Sequence, residues 1–340
     1  MSNIVFTRYS TSRRLNQLKN KIIWGAFLCF LASVSWGAMF PVANSAFKNI
    51  DPFYFTLIRY ISVTLLLVVI LWFKEGKRAF RFEKRGLSLW FFGTMAFVVY
   101  NLLIFWGQDL MGQPGTMVAS ISEAMMPMIS IVLVWVISRH KPHGFTLACV
   151  FTAFVGVMLV ITKGDLRTFF TATDDIVPSL LIFIAVIGWV IYTMGGNRFS
   201  EWSALRYSTL SCLLGTVTAS IIVFFVTWTG YISVPTVTTL QVVTPHMLFM
   251  IIFPGIIALV GWNVGVRILS PLNGLLFINF VPVTTLVISY IQGYQLTIFD
   301  YIGTLFIIAA LLGNNIFLRL QQKRKDEARQ YKKHSMQPSV

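Results

Sequence analysis

The sequence predicts an all-α integral membrane protein of ten transmembrane helices, arranged as two inverted five-helix repeats. Three observations predict it. Ten apolar stretches run along the 340 residues, 56% of which are hydrophobic and only 11% charged, whereas a soluble domain is roughly a quarter charged. The stretches fall into two sets of five that echo each other: Ile58-Arg59-Tyr60 opens the second and Leu205-Arg206-Tyr207 the seventh, with Pro127 in the fourth and Pro282 in the ninth. Lys and Arg, finally, crowd onto alternate loops. An odd number of spans per copy inserts the second copy upside down, and repeats of that kind typify secondary transporters with a midplane substrate site.

A bilayer core about 30 Å thick needs roughly 20 apolar residues per helix. Residues 1–21 form a basic tail ahead of the first span, 22–41. That span is longer than the apolar region of a signal peptide and no A-x-A pattern follows, so it is read as retained. Spans 54–73, 87–107, 116–138 and 144–162 complete a first repeat over 22–162, with the basic Lys74–Arg85 loop as its longest internal connection. The halves meet near Lys163–Asp175, where Asp174 or Asp175 suits a helix cap and Pro178 a first turn. The second repeat, 176–318, holds spans 176–196, 205–228, 246–267, 273–292 and 300–318. Between its second and third spans, Thr229–Pro245 carries Pro235 and Pro245 and no Lys or Arg. It is read as a plain connector rather than a hairpin or lid. Residues 319–340 form the second basic tail, and the two tails are the only parts expected to lack order. No apolar surplus is left for a soluble core.

The net charge of +15 suggests nucleic acid only until its distribution is read. With the N-terminus in the cytoplasm, the inner loops and tails carry 23 of the 27 Lys and Arg. The outer side keeps Lys48, Lys163 and Arg167, and Arg59 lies within a span. Such a bias puts both termini in the cytoplasm of a bacterial-type plasma (inner) membrane. The tails then meet anionic membrane lipid rather than nucleic acid.

Catalytic and cofactor chemistry find no support. Cys29, Cys149 and Cys212 fall inside spans at unrelated spacings and read as packing residues. His140, His143, His246 and His334 lack metal-site spacing, so no metal and no cofactor is expected. No Ser-His-Asp set and no P-loop occurs, which argues against an enzyme and against an ATP-driven pump. Energy has to come from an ion gradient or the substrate's own.

Polar residues show which helix faces avoid lipid. In the fourth span Thr116, Ser120, Glu123, Pro127 and Ser130 recur at three- and four-residue steps. Asn279, Pro282, Thr285 and Ser289 do so in the ninth, and Ser33, Trp36, Phe40 and Asn44 in the first, beside Gly37 and Pro41. Trp189, Tyr192 and Gly196 mark the sixth, Tyr100 and Asn101 the third, Trp262 and Asn263 the eighth. Together they describe a cavity of aromatic rings and amides with few charges. Each intramembrane proline removes a backbone donor. Pro127, Pro254 and Pro282 are therefore expected at bends that line protein or water.

These residues make the chain resemble the drug/metabolite transporter superfamily, specifically its EamA-type ten-helix carriers. The resemblance rests on Trp36-Gly37 and Phe40-Pro41, on Leu57-Ile58-Arg59-Tyr60, and on the Ala119–Pro127 and Gly274–Pro282 runs, and it spans Ile22 to Leu318. It implies a central cavity and alternating access, most often exporting amino acids or related metabolites. A small-molecule substrate is its implied partner, and oligomeric state is left open.

Glu123 departs from the family pattern, which has a small or apolar residue there. It is the only acidic residue in the interior of a predicted span; Asp109 and Asp300 sit at helix ends. A buried carboxyl group that gains and loses a proton is a proton-coupling candidate. Arg59 lies at the same expected depth, on the order of 10–12 Å below the outer boundary. A structural ion pair between the two is the competing reading. By inversion Arg206 is Arg59's counterpart, facing Glu201 or lipid phosphate. The expected function is secondary export of an amino acid or amine-like compound; an uptake permease or facilitator, and a non-transporting scaffold or membrane-embedded enzyme, are the rivals.

Overall fold

The computed structural model describes residues 2–139, 141–165, 173–269, 277–278 and 280–335. Among the described residues the chain is helical and forms no strand. Helix α1 runs Ser2–Phe47, α2 Pro52–Glu75 and α3 Gly86–Leu110. Next come α4 (Gln113–Ala124), α5 (Met126–Ser138) and α6 (Gly144–Thr162). The second half holds α7 (Thr173–Gly195), α8 (Ala204–Trp228), α9 (Val237–Val266), α10 (Phe280–Ile291) and α11 (Ile298–Ser335). Among the described residues eight helices are long and apolar enough to cross a membrane, or nine if the bent α4–α5 pair counts as one.

Local chemistry sets the boundaries. The Asp51 carboxylate accepts the Phe53 N–H at 2.7 Å with Pro52 as the first helical residue, and α2 stops at Gly76, whose φ is +70°. Ser203 Oγ caps α8 by accepting the Arg206 N–H at 2.9 Å. At α11 the Asp300 carboxylate accepts the Thr297 N–H at 2.8 Å while its own N–H reaches Thr297 Oγ1 at 3.4 Å, a reciprocal capping box.

Several boundaries differ from the sequence expectation. Val237–Met250 is helix, so the segment before Pro245 lengthens α9 rather than forming a connector. Thr236 starts it by accepting the Thr239 N–H at 3.2 Å. Both basic tails continue α1 and α11, because neither tail has a Gly or Pro inside the described residues to stop propagation. Helix α7 is described from Thr173, which puts Asp174 and Asp175 within it rather than ahead of it, and Pro178 beyond the first turn. Of the expected ninth span, residues 273–276 and Asn279 lie outside the described residues, and α10 itself is short.

Packing is reciprocal between the halves. Helix α1 lies on the end of α9 and on α10, while α7 lies on α3 and on α4–α5. Helix α2 pairs with α8, and α6 pairs extensively with α11. Small residues permit the closest crossings. A Cβ on Gly156 of α6 would stand 2.7 Å from the Gly303 carbonyl oxygen of α11. The main core joins Phe40, Phe55, Ile104, Phe105, Met117 and Ile121, whereas Leu65, Phe73, Phe151, Phe224 and Ile291 face outward. That outward apolar surface suits lipid.

Candidate functional site: a vestibule capped by Glu123

Helix α4 ends one residue past Glu123, and α5 leaves at a 50° bend. Pro127 is the second residue of α5, where its missing N–H costs no helical bond, and Ser130 Oγ donates to the Pro127 carbonyl at 2.7 Å. The bend expected at Pro127 is there. Thr116, Ser120 and Glu123 are buried, as is all of α4 from Gly115 to Ala124. Pro282 is buried as the third residue of α10, with no bend described.

Helices α3 and α9 each carry a stretch of π-helix, Met95–Tyr100 and Ile251–Ala258, the second enclosing Pro254. The first is not legible as a pattern in the sequence; the second falls where Pro254 leads the sequence to predict a bend. Asn101 follows the first directly; its Nδ2 donates to the Ala96 carbonyl at 2.8 Å and its Oδ1 accepts from Tyr60 at 3.0 Å. Asn263 stands five residues past the second and donates to the Leu259 carbonyl at 2.9 Å.

Aromatic rings gather where the halves meet. The Trp36 ring centroid is 6.4 Å from Trp189 and 5.3 Å from Trp262, and Trp189 lies 4.9 Å from Tyr100 and 5.4 Å from Tyr192. Below them a vestibule of about 910 Å³ reaches from Glu123 past Trp189, Tyr192, Trp262 and Asn263 to the exposed residues Asn197, Ser200 and Glu201. It opens at the end carrying the Lys74–Arg85 loop. Above them a cavity of only about 20 Å³, room for one water, is lined by Arg59, Tyr60, Tyr100, Asn101 and Glu123. Trp36, Trp189, Leu259 and Glu123 line both spaces and form the partition between them.

The structure brings Arg59 and Glu123 to one cavity but does not join them. The two do not come within 4.0 Å, nitrogen to oxygen. Glu123, 3% exposed, accepts from the Tyr100 hydroxyl at 3.1 Å through Oε1, and its Oε2 has no partner. Arg59, 2% exposed, contacts Met39 Sδ at 3.6 Å and lies 4.8 Å from the Tyr60 ring and 5.9 Å from Phe105; its Nε has no partner. Beyond Arg59, Phe47, Phe55 and Phe105 meet edge to face at 5.3–5.8 Å and seal the far end. Gln108 ties that seal together, donating to the Phe40 carbonyl at 2.8 Å and to Thr116 at 3.2 Å. The sequence reading missed it because the third span was ended one residue short.

Arg206 is not the counterpart of Arg59. It is the third residue of α8, whereas Arg59 is the eighth of α2. Its partner is Glu83 at 2.7 Å, not Glu201, and its guanidinium stacks 3.9 Å over Trp202. Glu201 pairs with Arg85 at 3.1 Å. Two hydrogen bonds, from Arg206 and from Trp202 at 2.9 Å, hold the Glu83 carboxyl below its ordinary value of 4.5. The loop between α2 and α3 is thereby docked on the turn ahead of α8.

Known proteins resemble this chain along most of its length. A family model described as the EamA-like transporter family matches it twice, over residues 23–162 and 177–316. Uncharacterized transporter YrdR of Bacillus subtilis (strain 168) is 51% identical over 90% of this chain and 96% of its own. Uncharacterized transporter YyaM of the same organism is 24% identical over 87% and 94%, respectively. Protein PagO of Salmonella typhimurium is 23% identical over 87% and 92%. One solved crystal structure, 15% identical, superposes with a TM-score of 0.62 over 87% of this chain and 98% of its own, a likeness of fold.

Proposed function

The chain belongs to the EamA-like transporter family, and from that premise we propose a secondary carrier that exports a small organic metabolite, an amino acid or amine-like compound, by alternating access. Transport and a multi-pass membrane setting follow from the family and the apolar helices. The observation that carries the finer reading is the vestibule, open at one end and closed at the other by the Glu123 partition and the phenylalanine seal. With both termini cytoplasmic, that opening faces inward and the molecule rests in the state that loads cargo for export.

The reciprocal packing of the two halves supports ten spans in two inverted repeats, with α4–α5 as one broken span and α10 as the core of the ninth. Interconversion then exchanges the open and sealed ends about the partition. Glu123 serves as the coupling group, since one of its carboxylate oxygens is unpaired at the boundary of the vestibule. Proteoliposomes test the reading. Substrate-loaded vesicles should show counterflow of labelled substrate that a proton gradient accelerates. Flux indifferent to that gradient would leave a facilitator, and no flux with any amine or amino acid would remove the carrier.

A further inference from the structure

We propose that the vestibule selects ligands by a positively charged ammonium group read by Glu123, and therefore prefers amines without a carboxylate over zwitterions and acids. The inference rests on the transport reading above and narrows its cargo. Its starting point is the charge of the walls. Among the described residues that line the vestibule there is no Lys, Arg or His; the two charged ones, Glu123 and Glu201, are both acidic. Glu201, at the mouth, is answered by Arg85 at 3.1 Å. Glu123, at the closed end, is answered by nothing charged, and its Oε2 is buried without a hydrogen-bond partner.

An unpaired carboxylate oxygen out of contact with water is costly unless a donor reaches it. The vestibule is the only one of its two bordering spaces large enough to bring more than a water. An ammonium arriving there reaches the carboxylate once the Glu123 side chain turns toward the vestibule it lines, and it meets the rings of Trp36 and Trp189 beside it; a cation over indole faces is attracted by their quadrupoles. A carboxylate on the same ligand finds the opposite. Among the described residues nothing cationic lines the vestibule to receive it. The guanidinium of Arg59 stands behind the partition against Met39, Tyr60 and Phe105, in a space too small for a carboxylate.

The test uses four probes that share a phenyl ring and differ in charge: phenethylamine, phenylalanine, 3-phenylpropionate and phenethyl alcohol. Binding to the purified full chain in nanodiscs is read by intrinsic fluorescence, since four tryptophans, Trp36, Trp189, Trp202 and Trp262, line the vestibule. Phenethylamine should bind at least about tenfold tighter than the other three, from one charge-assisted contact plus ring faces. Glu123→Gln should abolish that preference, and Glu201→Gln should leave it standing. Phenylalanine or 3-phenylpropionate matching the amine, no amine binding at all, or a preference that survives Glu123→Gln would each overturn the proposal. Counterflow in proteoliposomes separates the two claims. Flux without amine preference defeats this inference and spares the carrier; amine-selective binding without flux of any probe does the reverse.

Discussion

Glu123 and Arg59 share a cavity yet do not touch, and this changes what substitution should do. A direct buried ion pair broken by Glu123→Gln would cost about 3–5 kcal/mol. Here Gln keeps an oxygen for the Tyr100 hydroxyl and leaves no contact pair broken, so the cost is less than about 1.5 kcal/mol, the net worth of one hydrogen bond. The Gln variant should elute in size exclusion like the wild type, while gradient-driven flux collapses and exchange at equal pH survives. A variant that folds normally and responds to the gradient as before would remove Glu123 from coupling. Lys163 and Asp300 make the opposite case: they pair at 2.8 Å, with the Asp300 side chain fully buried. Lys163→Met should lower the thermal midpoint by the equivalent of about 1–3 kcal/mol, less than for a fully buried pair because the lysine is 35% exposed. Arg85→Met at the exposed Glu201 pair should cost at most about 1 kcal/mol. Similar midpoints for the two variants would contradict this ranking. The sequence made Glu123 and Arg59 visible because charge inside an apolar run is rare. It could not show their separation, which depends on how α2 and α4 are rotated.

At the scale of helices, the sequence was legible wherever the signal is local. Pro127 marks a true break because a proline near a helix start removes no helical bond there, and α5 starts afresh beside it. The π-helix stretch in α3 was illegible, since Met95–Tyr100 is ordinary apolar sequence, whereas the one in α9 encloses Pro254, a position where the sequence predicts a bend. The two Arg-Tyr triplets misled for a related reason: their likeness is one of letters, while the helices carrying them start at different points. What Arg206 does instead is dock the Lys74–Arg85 loop through Glu83. Because that contact lowers the Glu83 proton affinity, its stabilisation is fully present above the ordinary glutamate value of 4.5 and is lost as pH falls below it. The thermal midpoint of the wild type should therefore exceed that of Glu83→Gln at neutral pH, and the difference should close as pH falls below 4.5. A gap independent of pH would mean that the carboxylate charge is not what docks the loop.

For the whole molecule, the charge bias of the loops and the direction of the vestibule are separate observations that must agree. On the positive-inside rule the expected place of the Lys74–Arg85 loop is the cytoplasmic side. The vestibule opens at that same end, past Asn197 and Ser200, while Phe47, Phe55 and Phe105 close the other. Cysteine scanning can read both at once, because native Cys29, Cys149 and Cys212 are buried and should give little background. In oriented vesicles, an impermeant maleimide should label Asn197→Cys and Trp262→Cys from the cytoplasmic face alone, with substrate slowing the second and sparing the first. Phe105→Cys, within the seal, should stay unlabelled from either face in the resting state, as should Leu66→Cys on the lipid surface. A switch that binds substrate on one side and releases it on the other must also expose the sealed end in some fraction of cycles. Adding substrate on both sides should then give Phe105→Cys slow labelling from the outer face. Labelling of Asn197→Cys from outside would invert the topology. Labelling of Trp262→Cys and Phe105→Cys together from one face would describe an open channel, and alternating access would have to be abandoned.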